Sequence, residues 1–78
     1  MDLEEYQAEV ELEKVDEIKI YLTRITAPSE IYGKADNAQY NISDWEEVRL
    51  IQKGNLVKLY AQANQDVIAK LKDLTGGQ

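Results

Sequence analysis

A chain of 78 residues buries only about 60% of its unfolded surface, so residues 1–78 are expected to form one domain with a single thin hydrophobic layer. Cysteine and histidine are both missing, which removes disulfide frameworks, thiolate metal sites and the commonest general base. The formal net charge of −6 argues against direct binding to nucleic acid or to an anionic membrane, since both draw affinity from Lys and Arg.

The charge is unevenly placed. Residues 1–17 carry eight acidic side chains against Lys14, a balance of −7 that leaves the remaining 61 residues at +1. The acidic start is unlike a signal peptide, and no apolar run approaches the length of a membrane span. A cytoplasmic protein is expected.

Taken in order, Tyr6, Ala8, Val10 and Leu12 alternate with Gln7, Glu9, Glu11 and Glu13. A period of two describes a strand with one wet face. Residues 14–17 read as a turn, and residues 18–25 alternate again, with Ile18, Ile20 and Leu22 on one side. The reading is an amino-terminal hairpin. Helix is set aside here because glutamates at every second position would surround the cylinder and leave no apolar stripe.

Residues 26–44 are irregular, with the only proline, Pro28, then Gly33 and scattered Tyr32, Tyr40 and Ile42. A connection of that length is uncommon in a compact domain. It implies either an unseen element, a short helix after Pro28 or a strand at residues 39–42, or a binding loop; the unseen element is preferred.

Gly54-Asn55 stands between two apolar runs and suits a two-residue hairpin turn. That turn pairs Gln52 with Val57, Leu50 with Leu59 and Val48 with Ala61. Val48, Leu50, Val57, Leu59 and Ala61 then share a core face, while Arg49 with Tyr60 and Ile51 with Lys58 make a mixed outer face. Slipping the turn by one residue would oppose Arg49 and Lys58, two like charges. A competing reading takes Ser43-Asp44-Trp45-Glu46 as a capping box opening a helix that Gly54 ends; the hairpin register argues against it.

From Asn64 the period lengthens. Val67, Ile68, Leu71 and Leu74 recur at helical spacing, Asn64 is a good N-cap, Asp66 suits the positive helix start, and Gly76 suits a left-handed stop. The expected fold is α+β: a small antiparallel sheet of two hairpins, about four strands, covered on one face by a carboxy-terminal helix. Residues 76–78 are expected to form a mobile tail.

Catalytic chemistry finds little support. Without His or Cys, Ser29 and Ser43 have no visible activating partner, and the pairs Asp16-Glu17 and Glu46-Glu47 read as solvated turns. A calcium loop opening at Asp36 would set Ala38, Tyr40 and Asn41 where oxygen ligands or glycine are required. No catalytic residue, cofactor or metal ligand is assigned, and the chain is read as a non-enzyme.

Three surface features are candidates for function. Glu9, Glu11 and Glu13 would project from one strand face at about 6.6 to 6.8 Å per step, near the spacing of neighbouring phosphates, as a nucleic-acid mimic would need; charge on an exposed strand also serves solubility and blocks edge pairing. Tyr32, Tyr40 and Trp45, in or beside the irregular segment, are the candidates for contacting a protein partner, since Tyr and Trp supply rigid amphipathic area. The third feature is the terminus. Gly76-Gly77-Gln78 resembles the end of the prokaryotic ubiquitin-like protein Pup, an acidic tag whose terminal glutamine is deamidated before ligation to a lysine. It is similar also to the Gly-Gly end of β-grasp carriers and to the catalytic tripeptide of peptide-release factors. The resemblance covers three residues and would imply a protein modifier acting through Gln78; a glycine helix stop with a short tail is the preferred reading.

The functional expectation is a non-enzymatic, acidic binding or inhibitory module acting on a protein partner, of the kind of a small adaptor or a phage-type host-factor inhibitor. The alternatives are a mimic that blocks a DNA- or RNA-handling protein and a modifier with a Gly-Gly-Gln tail. A homo-oligomer formed through a sheet edge is left open.

Overall fold

The structure, a computed structural model, describes residues 2–34 and 37–76. In chain order it contains β1 (Glu4–Glu11), α1 (Leu12–Ile25), a single 3-10 turn (Pro28–Glu30), β2 (Ile31–Lys34), β3 (Asn37–Asn41), β4 (Glu47–Lys53), β5 (Leu56–Ala63) and α2 (Gln65–Leu74). The five strands form one antiparallel sheet in the order β1-β5-β4-β3-β2. The chain lays down one edge, crosses along α1 to the other edge, and returns as a four-strand meander that ends beside β1.

The β4–β5 hairpin has the expected register: Gln52 opposes Val57, Leu50 opposes Leu59 and Val48 opposes Ala61. Gly54 takes φ 63°, the conformation that the two-residue turn requires. The five residues assigned to its core face are all buried. α2 also forms as expected. The Asn64 side chain accepts a hydrogen bond of 3.1 Å from the Val67 amide, and Gly76 follows the helix with φ 94°.

The amino-terminal hairpin does not form. β1 pairs with β5 instead, with Tyr6 opposite Ala61, Ala8 opposite Leu59 and Val10 opposite Val57. Residues 12–25, expected as the end of the first strand, a turn at 14–17 and a second strand at 18–25, are the helix α1. Its buried residues are Val15, Ile18 and Leu22, with Tyr21 and Ile25 packed partly against the core. Those positions recur at three and four residues, a stripe along one side of a helix. Ile20, which the alternation had paired with Ile18 and Leu22, points outward and is 54% exposed. The count of five strands and two α-helices replaces the expected four strands and one helix.

The irregular segment holds three hidden elements. Pro28 opens the 3-10 turn, where its missing amide and fixed φ are no handicap. β2 and β3 follow, with Ile31 opposite Tyr40 and Tyr32 opposite Gln39. Gly33 lies within β2, opposite Ala38, at φ 91°, and a side-chain carbon there would run into the Asn37 carbonyl. The alternative helix opening at Ser43 is absent. Ser43 Oγ does donate to Glu46 Oε1 at 2.8 Å, but the backbone closes a tight turn in which the Ile42 amide donates to the Glu46 carbonyl before β4 begins.

α1 and α2 touch each other and lie against β1 and β5. The molecule is 17 Å in its shortest dimension, which accommodates one layer of helix on one sheet at about 10 Å separation. Ile18, Leu22, Leu50, Leu59, Ile68 and Leu71 are among the fully buried side chains between the layers. Each contributes on the order of 1.5 to 3 kcal/mol by leaving water.

Candidate functional site: the open face of the sheet

Both helices pack on one face, and no helix packs on the opposite face among the described residues. Period-two alternation sorts every strand between the two. β5 reads exposed, buried, half-buried, buried along Leu56 to Leu59, and β4 alternates likewise from Glu47 to Leu50. The register then aligns one outward row across all five strands: Gln7 opposite Tyr60, Tyr60 opposite Arg49, Arg49 opposite Gln39, and Gln39 opposite Tyr32. With neighbouring strands about 4.8 Å apart, the row is about 19 Å long.

Tyr60 is the fixed point of this row. The Arg49 guanidinium lies over its ring at 5.5 Å and the Lys58 ammonium at 5.7 Å from the centroid, both within cation–π range. Arg49 is tied in turn to Glu47, with Nε 3.7 Å from the carboxylate. On the β2 side, Arg49 helps to line a shallow hollow of about 270 Å³ with Tyr32, Asn37, Gln39 and Ile51. On the β1 side it helps to line a second, of about 190 Å³, with Gln7, Glu47 and Tyr60. One guanidinium therefore walls two adjacent hollows.

The face is charge-balanced within an acidic protein. Glu5, Glu9, Glu11 and Glu47 share it with Lys34, Arg49, Lys53 and Lys58, acids gathered toward β1 and bases toward the centre and β2. Glu9 stands directly opposite Lys58.

The three aromatic candidates do not form one surface. Tyr32 lies on this face and is 50% exposed, but Tyr40 points the other way into the core and is 5% exposed. Burial pushes the Tyr40 hydroxyl pKa up, while Lys19 and a hydrogen bond to Thr23, both on α1, oppose that shift. Tyr40 is thus a core residue, not a contact residue. Trp45 is 65% exposed, in the turn between β3 and β4, away from the outward row. Arg49 and Tyr60 were the residues passed over. The hairpin register already paired them on the outer face.

The acidic row is also altered. Glu9 and Glu11 lie on β1, but Glu13 belongs to the first turn of α1, so the three carboxylates do not share a strand face. Glu11 nevertheless reaches Glu13: a hydrogen bond between the two carboxyl groups, and then their like charge, raise the Glu13 pKa. Gly76 of the terminal tripeptide ends α2, and Gly77 and Gln78 lie outside the described residues.

A further cleft of about 430 Å³ is lined by Glu30, Asp44, Glu46 and Glu47 with Gln39, Asn41 and Ser43. Glu46 is structural there. Its Oε2 accepts from the Asn64 amide at 2.8 Å and from Asn64 Nδ2 at 2.6 Å, fastening the β3–β4 turn to the start of α2. The Asn64 backbone bond and the Ser43 hydroxyl hold its carboxyl below the usual range. Among the described residues no group of three His, Cys, Asp or Glu side chains is placed to hold a metal ion, and no helix is long and apolar enough to cross a membrane. No family model matches the chain, and no curated protein or solved structure matches it.

Proposed function

We propose that this protein is a non-enzymatic binding module that engages a protein partner through the open face of its sheet, acting as an adaptor or inhibitor in the cytoplasm. The observation that carries the reading is the row Gln7-Tyr60-Arg49-Gln39-Tyr32, in which Tyr60 is held by two cations and the central Arg49 lies between two hollows. Tyr and Arg are the side chains that dominate interface hot spots. Holding them in place before contact reduces the ordering cost of binding.

Size sets the class of interaction. Five strands at about 4.8 Å spacing and about 3.4 Å per residue present a face on the order of 500 Å², below the roughly 800 Å² per partner of a standard interface. The contact is small and polar, suited to a transient complex. Charge balance favours a protein over nucleic acid, because Glu47 lies beside Arg49 and Glu9 opposite Lys58, leaving little net positive potential to attract phosphates.

The test is affinity capture with wild type beside Arg49→Ala/Tyr60→Ala and beside Trp45→Ala. Capture of one partner by wild type and Trp45→Ala, lost with the double variant, supports the open face. Loss with Trp45→Ala alone moves the site to the β3–β4 turn and sinks the proposal.

A further inference from the structure

β1 and β2 are the two edges of the sheet, and they are not alike. β2 has four residues, whereas β1 has eight and, among the described residues, bonds to β5 on one side only. Every second amide and carbonyl along β1 therefore faces away from the sheet. An unpaired edge of this length is a template for another extended segment.

The surroundings of β1 define what that segment must be. Along the edge runs a depression of about 710 Å³ lined by Gln7, Ala8, Glu9, Glu11, Lys14, Lys58, Thr75 and Gly76. On its helix side Ala8 is small and only half-buried, beneath the end of α2. An apolar side chain entering there packs over Ala8. On the open-face side the edge presents Glu5, Gln7, Glu9 and Glu11 in succession, of which Glu9 already has Lys58 opposite it on β5. Glu11, by hydrogen bonding and then by like charge, raises the pKa of Glu13 beside it, and Lys14 opposes that shift.

A second copy of the chain does not satisfy these conditions. Antiparallel pairing of β1 with itself in a continuous sheet keeps like faces together, so the registers with most overlap set Glu5 opposite Glu9, or Glu5 opposite Glu11 with Gln7 opposite Glu9. Like charges placed directly opposite are destabilising. Pairing with β2 of another copy covers half of the edge.

We propose that the free edge of β1 accepts an extended segment of a partner protein in which basic residues alternate with apolar ones, the basic residues opposite Glu9 and Glu11 and an apolar residue over Ala8. Main-chain bonds to β1 supply the affinity, and the two alternating rows set register and choice of sequence. This site shares Gln7 with the end of the Tyr60 row and does not depend on that row engaging a partner.

The experiment uses the whole protein and a synthetic peptide of the length of β1, alternating lysine and valine. It is compared with a peptide of the same composition in two blocks and with one N-methylated at alternate amides. Amide hydrogen exchange and titration by nuclear magnetic resonance read the outcome. The expected result is new protection at alternate amides of β1 with the alternating peptide alone. Binding weakens about tenfold in Glu9→Lys/Glu11→Lys, a change that spans two cross-strand charge pairs, and is unchanged in Ile20→Ala, an exposed position on α1. The two control peptides test the site without any variant of the protein. Equal binding of the block or N-methylated peptide, protection at β2 instead of β1, no binding at all, or self-association of the protein through β1 each overturns the proposal.

Discussion

The two faces of this sheet are made by the same strands and differ in nearly everything else. Val48, Leu50, Val57 and Leu59 on one face are fully buried beneath the helices. Arg49, Ile51, Lys58 and Tyr60, their immediate neighbours in sequence, stand on the other face and remain accessible. The hidden face obeys packing, where any methylene lost leaves a cavity. The open face carries large side chains that are polar at the tip, charge-paired, and held in a row. In a chain this thin, one layer of helices covers one face and leaves the second accessible.

The contrast makes its largest prediction in a pair of adjacent residues. Leu59→Ala should cost about 2 to 5 kcal/mol of unfolding free energy in chemical denaturation. Tyr60→Ala, one position along, should cost about 1 kcal/mol or less while abolishing partner capture. Comparable destabilisation by both would mean that the open face is a second core surface.

Gly33→Ala comes next, because φ of 91° and the nearby Asn37 carbonyl leave no room for a methyl group. A loss of about 2 kcal/mol or more is expected in thermal unfolding, with exchange spectra showing disturbance confined to β2 and β3. Asn64→Ala should be milder, about 1 kcal/mol, since it removes the α2 cap and one donor to Glu46. Asn64→Ala does not touch the Tyr60 row, so capture should persist, whereas Gly33→Ala disturbs the strands that carry Tyr32 and Gln39 and should weaken it.

The smallest effect is a pH dependence. Glu46 is held below the usual carboxylate range in the folded chain by Asn64 and Ser43. Its contribution is therefore complete above the ordinary unfolded value and is lost as pH falls through the depressed folded value. Glu46→Gln should flatten that part of the stability profile in acid titration and leave neutral-pH capture unchanged. Glu13 has the opposite sign: its raised pKa means that the charged carboxylate opposes folding at neutral pH and that the effect fades as pH falls.

What could be read from the sequence divides along the same physical line. The β4–β5 hairpin was legible because a turn dipeptide, a charge-sensitive register and an apolar alternation all agreed, and α2 because a cap, a stripe and a stop coincided. α1 was not legible by alternation, since Ile18, Ile20 and Leu22 satisfy a period of two while Val15, Ile18, Leu22 and Ile25 satisfy the helical one. The helical set wins by packing against α2 and β5, a tertiary contact that no short window contains. β2 was hidden for another reason: four residues with Gly33 and Lys34 show almost no pattern of their own, and their strand exists through pairing with β3. Of the aromatic candidates, Tyr32 faces outward and Tyr40 is buried. Both are tyrosines of one irregular segment, and only the register of β2 against β3 decides which faces outward.

The most direct test of the open-face account is site-specific photocrosslinking from Gln39, in the outward row, set beside crosslinking from Ile20, exposed on α1. The account predicts a single crosslinked partner from Gln39 and none from Ile20, with the product lost when Arg49→Ala/Tyr60→Ala is combined with the Gln39 crosslinker. The same partner captured from Ile20 and not from Gln39 would contradict it, and would assign recognition to the helical face.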